Sequence, residues 1–174
     1  MAFGITVFNM SGSFFAPIST ILLPKASHMI AKKNYAGLKY DLKRMLIFAI
    51  CLTTLGVVVL EIFTAQIIRI YLKNDFLETV MIIKILAIGI IPYVIYILLR
   101  SVIDAEYIKP INAINLVAAL LFFIIGTSLI LLLNLDHFYF YIAGIFTTSI
   151  YILGILSLIA TYSIFKRNNT CPSS

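Results

Sequence analysis

Charged residues are scarce in this sequence. Asp, Glu, Lys and Arg make up 11% of the 174 residues, whereas hydrophobic residues make up 62% and the mean hydropathy is +1.08. A soluble domain has about a quarter of its residues charged, so this chain has too few charges to cover the surface of a soluble fold. The composition predicts a multi-pass membrane protein, with room for about five helices of roughly 20 apolar residues.

Residues that bind metals or carry out chemistry are also few. Of the two cysteines, Cys51 lies in an apolar run and Cys171 in a polar tail, and His28 and His137 are lone histidines in opposite loops. This spacing excludes a disulfide framework and a metal-binding motif. No phosphate loop or nucleophile elbow is present. We therefore expect a protein that is not an enzyme and has no cofactor and no metal.

The N-terminal region lacks basic residues, because no Lys or Arg precedes Lys25. A secretory signal begins with a basic n-region. We therefore expect the first apolar run to remain in the mature protein.

Five apolar stretches predict a single all-α transmembrane domain over residues 1–174. The predicted helices cover about 2–23, 45–68, 80–103, 111–133 and 138–165. A basic loop at 24–44 separates the first two helices and is predicted to form two short helical pieces joined by a turn at Asn34–Gly37. A polar tail follows at 166–174.

The basic residues predict the orientation of the helices. Segments 24–44, 100–110 and 166–174 hold six, two and two Lys or Arg, whereas 69–79 and 134–137 hold two and none. Basic residues collect in cytoplasmic loops, so we expect the N-terminus outside and the C-terminus in the cytoplasm. The net charge of +6 follows from this bias and predicts contact with membrane lipids. No soluble region is large enough for a nucleic-acid interface.

The first helix is the most polar of the five. Asn9, Ser13 and Thr20 lie at offsets of four and seven, which places them on one helix face, and Pro17 is expected to bend the helix. Polar groups that face lipid are costly, so this face should meet other helices or water. The pattern fits two roles for this face, namely helix packing through small polar residues and the lining of a cavity.

Four ionisable residues lie in or at the ends of the predicted spans. Glu61 lies in the apolar region of the second helix, where such a group usually faces the protein interior; it could couple to protons or cations, or reach water at the interface. Lys84 could extend to the interface or pair with Glu61. Arg100 and Asp104 have the i,i+4 spacing of an ion pair, although Arg100 could instead bind a phosphate.

These patterns give a set of candidate substrate- or ion-pathway residues, namely Glu61, Lys84, Arg100, Asn9 and Ser13. No catalytic residue and no metal ligand is among them.

The order of several short segments resembles a known family. Leu-Leu-Pro-Lys-Ala-Ser at 22–27 follows a polar helix, and Leu-Lys-Arg at 42–44 ends a basic segment. Leu-Arg-Ser-Val-Ile-Asp-Ala at 99–105 then ends a helix, and Lys-Pro follows at 109–110. This order, over about residues 15–115, is similar to the C-terminal half of the polysaccharide-exporting flippases. These belong to a superfamily shared with the multidrug and toxic-compound extrusion transporters and the lipid II flippase.

The resemblance implies the movement of lipid-linked oligosaccharide or polysaccharide precursors across the cytoplasmic membrane. Family members have two lobes of helices around a central cavity and alternate the side to which it opens. Pro24 and Ser27 correspond to a helix-end motif, and Asp104, Ala105 and Pro110 to a loop motif, all with structural roles. No cavity residue carries over.

About five helices correspond to an incomplete C-terminal lobe of such a transporter. We expect a fragment, a subunit completed by a missing N-terminal lobe or a partner subunit, or a remnant without transport. The alternative from a different class is a small membrane scaffold or assembly subunit.

Overall fold

The computed structural model describes residues 2–72, 77–107, 110–133 and 138–169. Within these ranges the chain is helical and has no strand. The six helices are α1 (Ala2–Ala31), α2 (Tyr35–Leu72), α3 (Leu77–Ile88), α4 (Ile90–Glu106), α5 (Ile111–Leu132) and α6 (Phe138–Asn169). The predicted loop at 134–137, residues 73–76 of the loop at 69–79, and residues 170–174 of the tail lie outside the described residues.

Four helical spans in the described part of the chain are long and apolar enough to cross a membrane. They are Tyr35–Gln66, Thr79–Glu106, Ile111–Leu132 and Phe138–Asn168. With α1 beside them, the architecture is that of an all-α, multi-pass membrane protein of about five helices, as the composition predicts.

The basic segment 24–44 is a helical hairpin rather than a loop with short helical pieces. Helix α1 continues through Pro17 and Pro24 to Ala31, and α2 begins at Tyr35, so only residues 32–34 form a turn. Apolar side chains explain this continuity, because they recur at helical spacing through the basic region. Leu22, Ala26, Leu38 and Leu42 are all buried in one cluster with the ends of α4 and α6.

The span Thr79–Glu106 is a single crossing built from two helices. Proline has no backbone N–H, and its ring clashes with the carbonyl four residues earlier. Pro92 therefore cannot continue the ladder from Ile88, where α3 ends. Gly89 bridges the gap, since its N–H donates to the Leu86 carbonyl at 3.0 Å and its carbonyl accepts from Tyr93 at 3.3 Å.

Helix α4 is the centre of the bundle and contacts all five other helices. In the span Thr79–Glu106, which α3 and α4 share, 67% of the most apolar stretch is buried, against 17% in the spans of α2 and of α5. Helices α4 and α6 approach closely at Gly154, where an added Cβ would lie 3.1 Å from the Pro92 carbonyl oxygen. The outer helices α2 and α5 therefore present most of their apolar surface to their surroundings.

The described parts of the three basic segments 24–44, 100–110 and 166–174 meet at one end of the bundle. The hydroxyl of Tyr35 at the start of α2 donates to Glu106 at the end of α4, and Arg167 at the end of α6 contacts the same carboxylate. This common end agrees with the grouping that the charge pattern predicts. The side of the membrane on which it lies stays a prediction.

Candidate functional site

A groove between α1 and α4 collects most of the polar side chains predicted for the site. Helix α1 contributes one face of small and polar residues, and α4 contributes the facing wall. The groove, called here the polar groove, has a volume of about 570 Å³ and is lined by Asn9, Gly12, Ser13, Ala16, Ser19, Thr20, Leu23, Tyr93, Ile97, Arg100, Ser101 and Asp104.

The α1 wall is the stripe that the sequence predicts. Asn9, Ser13 and Thr20 all line the groove. The Ser13 hydroxyl donates to the Asn9 carbonyl at 2.9 Å, and the Thr20 hydroxyl donates to the Ala16 carbonyl at 3.0 Å. These bonds use the hydroxyl hydrogens, so each oxygen keeps its lone pairs for accepting hydrogen bonds.

Hydroxyl groups of α1 and α4 join the two walls at the base of the groove. The Ser101 hydroxyl donates to the Ser19 carbonyl at 2.7 Å, and the Ser19 hydroxyl donates to the Ile97 carbonyl at 2.9 Å. A Cβ at Gly12 would lie only 2.4 Å from Cε1 of Tyr93. Small residues and interhelical hydroxyl bonds are the features that bring membrane helices together.

One end of the polar groove carries charge. Arg100 Nε lies 3.3 Å from Asp104 Oδ2, which is the i,i+4 pair that the spacing predicts. Only Nε of Arg100 makes a hydrogen bond within the described part of the chain. Its two terminal nitrogens therefore keep the donors with which a guanidinium binds a phosphate or carboxylate, so the pair and an anion contact are compatible.

An apolar pocket of about 370 Å³ adjoins the polar groove, and Asn9 and Tyr93 line both. Its other lining residues come from α5 and α6, namely Leu116, Ala119, Leu120, Phe123, Phe146, Ser149, Ile150 and Leu153. Polar and apolar lining in contiguous spaces suits a molecule that has a polar and an apolar part.

Glu61 and Lys84 form a pair away from the polar groove. Lys84 Nζ of α3 lies 3.4 Å from Glu61 Oε2 of α2, so the pairing that the sequence left open is present. Neither residue lines the polar groove or the apolar pocket. The five candidates thus divide into three that share one groove, Asn9, Ser13 and Arg100, and two that form a separate pair.

Two groove residues, Tyr93 and Ser101, were missed by the sequence analysis. Both lie on the face of α4 that also carries Ile97, Arg100 and Asp104. The helical spacing of Tyr93, Ile97, Arg100 and Asp104 was the available signal. It identifies a face but not the helix that the face meets.

The buried carboxylate of Glu106 is a second missed feature. Its side chain is 6% exposed and accepts from Arg167 at 2.7 Å, Tyr35 at 3.3 Å and Asn168 at 3.4 Å. The Arg167 guanidinium also lies 5.7 Å from the centre of the Tyr107 ring. This Glu106 cluster joins α2, α4 and α6 through charge-assisted bonds, which are stronger than neutral ones.

Within the described ranges, no three residues among His, Cys, Asp and Glu are placed to hold a metal ion. Cys51 is a free, exposed thiol, and Cys171 lies outside the described residues. The polar groove is lined by hydroxyl, amide, guanidinium and carboxylate groups.

No protein-family model, curated protein or solved structure matches this chain.

Proposed function

We propose that this chain is part of a transporter that flips lipid-linked oligosaccharide or polysaccharide precursors across the cytoplasmic membrane, and that the polar groove forms one wall of its pathway. The observation that carries the proposal is a groove of hydroxyl groups with an Arg100–Asp104 pair between two helices of a largely apolar bundle. Polar groups at membrane depth are costly against lipid, so such a groove faces water, substrate or protein.

The lining residues of the polar groove and of the adjoining apolar pocket support an amphipathic substrate. In this proposal, hydroxyl and amide groups of the polar groove accept hydrogen bonds from a sugar, and Arg100 donates to a phosphate. The adjoining apolar pocket takes part of the lipid chain. The resemblance to the flippases, over about residues 15–115, covers α4 and the second half of α1.

The groove is open on one side, so we propose that a second lobe or a partner subunit supplies the facing wall. Rocking of the two walls would expose the groove to each side of the membrane in turn. The basic end of the bundle lies in the cytoplasm in this proposal, with the N-terminus outside, because basic segments stay on that side.

A scaffold or assembly subunit is the second candidate function. The stripe of Gly12, Ser13, Ala16 and Thr20 is of the small and polar type that packs against another helix in membranes. In that case a partner helix fills the groove permanently, and no substrate passes.

Cysteine accessibility in native membranes separates the two functions. Ser13→Cys and Thr20→Cys are each introduced into a chain whose own thiols are removed by Cys51→Ala and Cys171→Ser. A charged, membrane-impermeant thiol reagent should label both positions if the groove is an aqueous pathway. The matched control is Ile62→Cys on the exposed apolar face of α2, which should stay unlabelled. An unlabelled groove would favour the scaffold and contradict the pathway.

Glycan export tests the substrate. The chain is expressed with a separately supplied N-terminal lobe in a strain that lacks its flippase. Export should appear with the unaltered chain and fall strongly with Arg100→Gln, whereas Lys84→Gln, outside the groove, should retain it. Stable expression of both lobes without export would count against the proposal.

A further inference from the structure

We propose that the hairpin of residues 25–44, here called the basic hairpin, is a binding surface for the headgroups of anionic phospholipids, seated on α2. This inference is independent of the transport proposed for the polar groove. The hairpin holds six basic residues, Lys25, Lys32, Lys33, Lys39, Lys43 and Arg44, and the single acid Asp41, and all six basic residues are exposed.

Most of this charge is not neutralised by the protein. Lys25 Nζ lies 2.7 Å from Asp41 Oδ2. The other five basic residues make no ion pair within the described part of the chain. A rigid surface with a large excess of positive charge is the form that attracts anionic headgroups.

The hairpin is a fixed part of the fold. The N–H of Asn34 donates to the Met29 carbonyl and the N–H of Lys33 to the Ile30 carbonyl, both at 2.9 Å, which is the Schellman pattern of a helix end. The Asn34 side chain then caps α2 by accepting from the Gly37 N–H at 3.0 Å. The backbone of the basic hairpin is therefore ordered, and its basic residues have defined positions.

Lys33 lies at a backbone position that favours glycine. Its φ is 56°, the left-handed conformation in which a side chain is strained and glycine is not. A lysine at this position costs stability and adds charge at the tip of the hairpin. Lys33 at the tip therefore adds a positive charge to the surface at a cost in conformational stability.

The exposed face of α2 identifies the partner as a lipid. Lys39 and Lys43 precede Ile47 at four-residue steps, and Arg44 precedes Phe48 in the same way, so the basic side chains lie directly above exposed apolar ones. Phe48 is 65% exposed. The opposite face carries buried Leu38, Leu42, Ala49, Thr53 and Val57, so the mixed face points away from the bundle.

The heights of these residues match the layers of a bilayer. Lys43 and Ile47 are four residues apart, which is about 6 Å along the helix. The headgroup region extends roughly 5–7 Å beyond each side of the hydrocarbon core. When Ile47 and Phe48 lie at the edge of the hydrocarbon core, Lys43 and Arg44 therefore lie among the headgroups. Lys39 is eight residues from Ile47, about 12 Å along the helix, and its long side chain extends back toward them. A soluble acidic partner would not account for the continuous apolar face below them.

The test measures lipid selectivity of the full chain in reconstituted membranes. Electron spin resonance with spin-labelled phosphatidylglycerol and phosphatidylcholine gives the relative affinity of each lipid for the protein surface. The unaltered chain should prefer phosphatidylglycerol, and Lys39→Gln/Lys43→Gln/Arg44→Gln should lose most of that preference. The relative affinity for phosphatidylglycerol should fall by up to roughly five-fold for each charge removed. Increasing salt should lower it as well.

Two variants provide controls. Lys39→Arg/Lys43→Arg/Arg44→Lys keeps every charge and should keep the preference. Lys25→Gln/Asp41→Asn removes an ion pair from the same hairpin without changing its net charge and should also keep it. Helix content and elution in detergent show that each variant is folded.

Equal affinity for the two lipids in the unaltered chain would overturn the proposal, as would a preference that survives in the glutamine variant. Competition by inorganic phosphate at constant ionic strength distinguishes the source of the anion. Loss of the preference in phosphate would indicate a site for free anions and would also overturn a lipid surface.

Discussion

The hydroxyl oxygens of Ser19 and Ser101 lie 2.5 Å apart, where α1 crosses α4. Each hydroxyl also lies within hydrogen-bond distance of a backbone carbonyl of the other helix, Ser101 of the Ser19 carbonyl and Ser19 of the Ile97 carbonyl. Two hydroxyl hydrogens serve these three contacts, so the two side chains form one coupled contact between α1 and α4.

Removing either hydroxyl should loosen this contact, and the two effects should not add. Hydrogen bonds between membrane helices are worth about 0.6–2 kcal/mol, so Ser19→Ala and Ser101→Ala should each lower the free energy of unfolding within that range. The double variant should lose less than the sum, because each substitution already disrupts the shared contact. Unfolding in mixed micelles measures all three.

Thr148→Ala is the matched control for the serine pair. Its hydroxyl is exposed and, among the described residues, bonds only to the Gly144 carbonyl of its own helix. We expect a change of less than about 0.5 kcal/mol. Fully additive effects of the two serine variants would contradict a shared contact.

Two glycines of α6 should respond to alanine in opposite directions. A Cβ at Gly154 would lie 3.1 Å from both the Cβ and the backbone oxygen of Pro92, so Gly154→Ala should destabilise the protein by about 1–3 kcal/mol through overpacking. A Cβ at Gly144 meets nothing within 4 Å. Gly144→Ala should therefore stabilise the helix by up to about 1 kcal/mol. Thermal unfolding of both variants in detergent gives the comparison, and equal shifts would contradict close contact of α4 and α6.

Two acidic residues near the end of α4 should contribute differently to the stability of the fold. Glu106 is 6% exposed and accepts from three side chains, whereas Asp104 is 40% exposed and pairs with Arg100 on its own helix. Glu106→Ala removes a buried acceptor that three side chains share and should cost about 1–3 kcal/mol of unfolding free energy. Asp104→Ala should cost less than about 0.5 kcal/mol, since exposed pairs contribute little.

Denaturant midpoints of the two alanine variants provide the measurement. Glu106→Gln keeps the shape and one acceptor oxygen, so its midpoint should fall between those of Glu106→Ala and the unaltered chain. A Glu106→Ala midpoint equal to that of Asp104→Ala would show that the Glu106 cluster adds nothing to stability.

Neutralising Glu61 and Lys84 together should be better tolerated than neutralising either alone. Glu61→Gln or Lys84→Gln leaves one charge without its partner 3.4 Å away. The side chains are 32% and 41% exposed, so solvent screens the pair and each loss should stay below about 1 kcal/mol. Midpoints of the singles and the double form a complete cycle. If the double variant is no more stable than the weaker single, the pair has no stabilising role.

Lys33→Gly should stabilise the chain. Lysine at φ 56° carries a conformational cost of roughly 1 kcal/mol that glycine avoids. Lys33→Ala removes the same charge but keeps the Cβ, so it isolates the backbone effect and should not stabilise by this amount. Unfolding of the two variants side by side makes the comparison, and equal stability would show that the turn carries no strain.

The sequence predicts the helices better than their contacts. The apolar runs predict the spans, and local spacing predicts the stripe of Asn9, Ser13 and Thr20 and the Arg100–Asp104 pair, since each depends on one helix alone. The groove depends on which faces meet. Ser101 is 82 residues from Ser19, and no local pattern joins them.

The Glu106 cluster likewise depends on contacts between residues that are far apart in the sequence. Arg167 is 61 residues from Glu106, and each residue alone has the appearance of an ordinary charge at the end of a span. For the basic hairpin, the sequence predicts a turn between two short helical pieces but not the continuity of these pieces with α1 and α2. Buried Leu38 and Leu42 carry the helical signal through that region.

The outer helices also define the membrane that fits this protein. Helix α5 has 22 residues and rises about 33 Å, and the stretch of α2 from Met45 to Gln66 rises by the same amount. Both slightly exceed a hydrocarbon core of about 30 Å. A small tilt brings them into hydrophobic match, whereas a much thinner or thicker bilayer would deform around them. Bilayer thickness should therefore determine where in a cell this bundle is most stable.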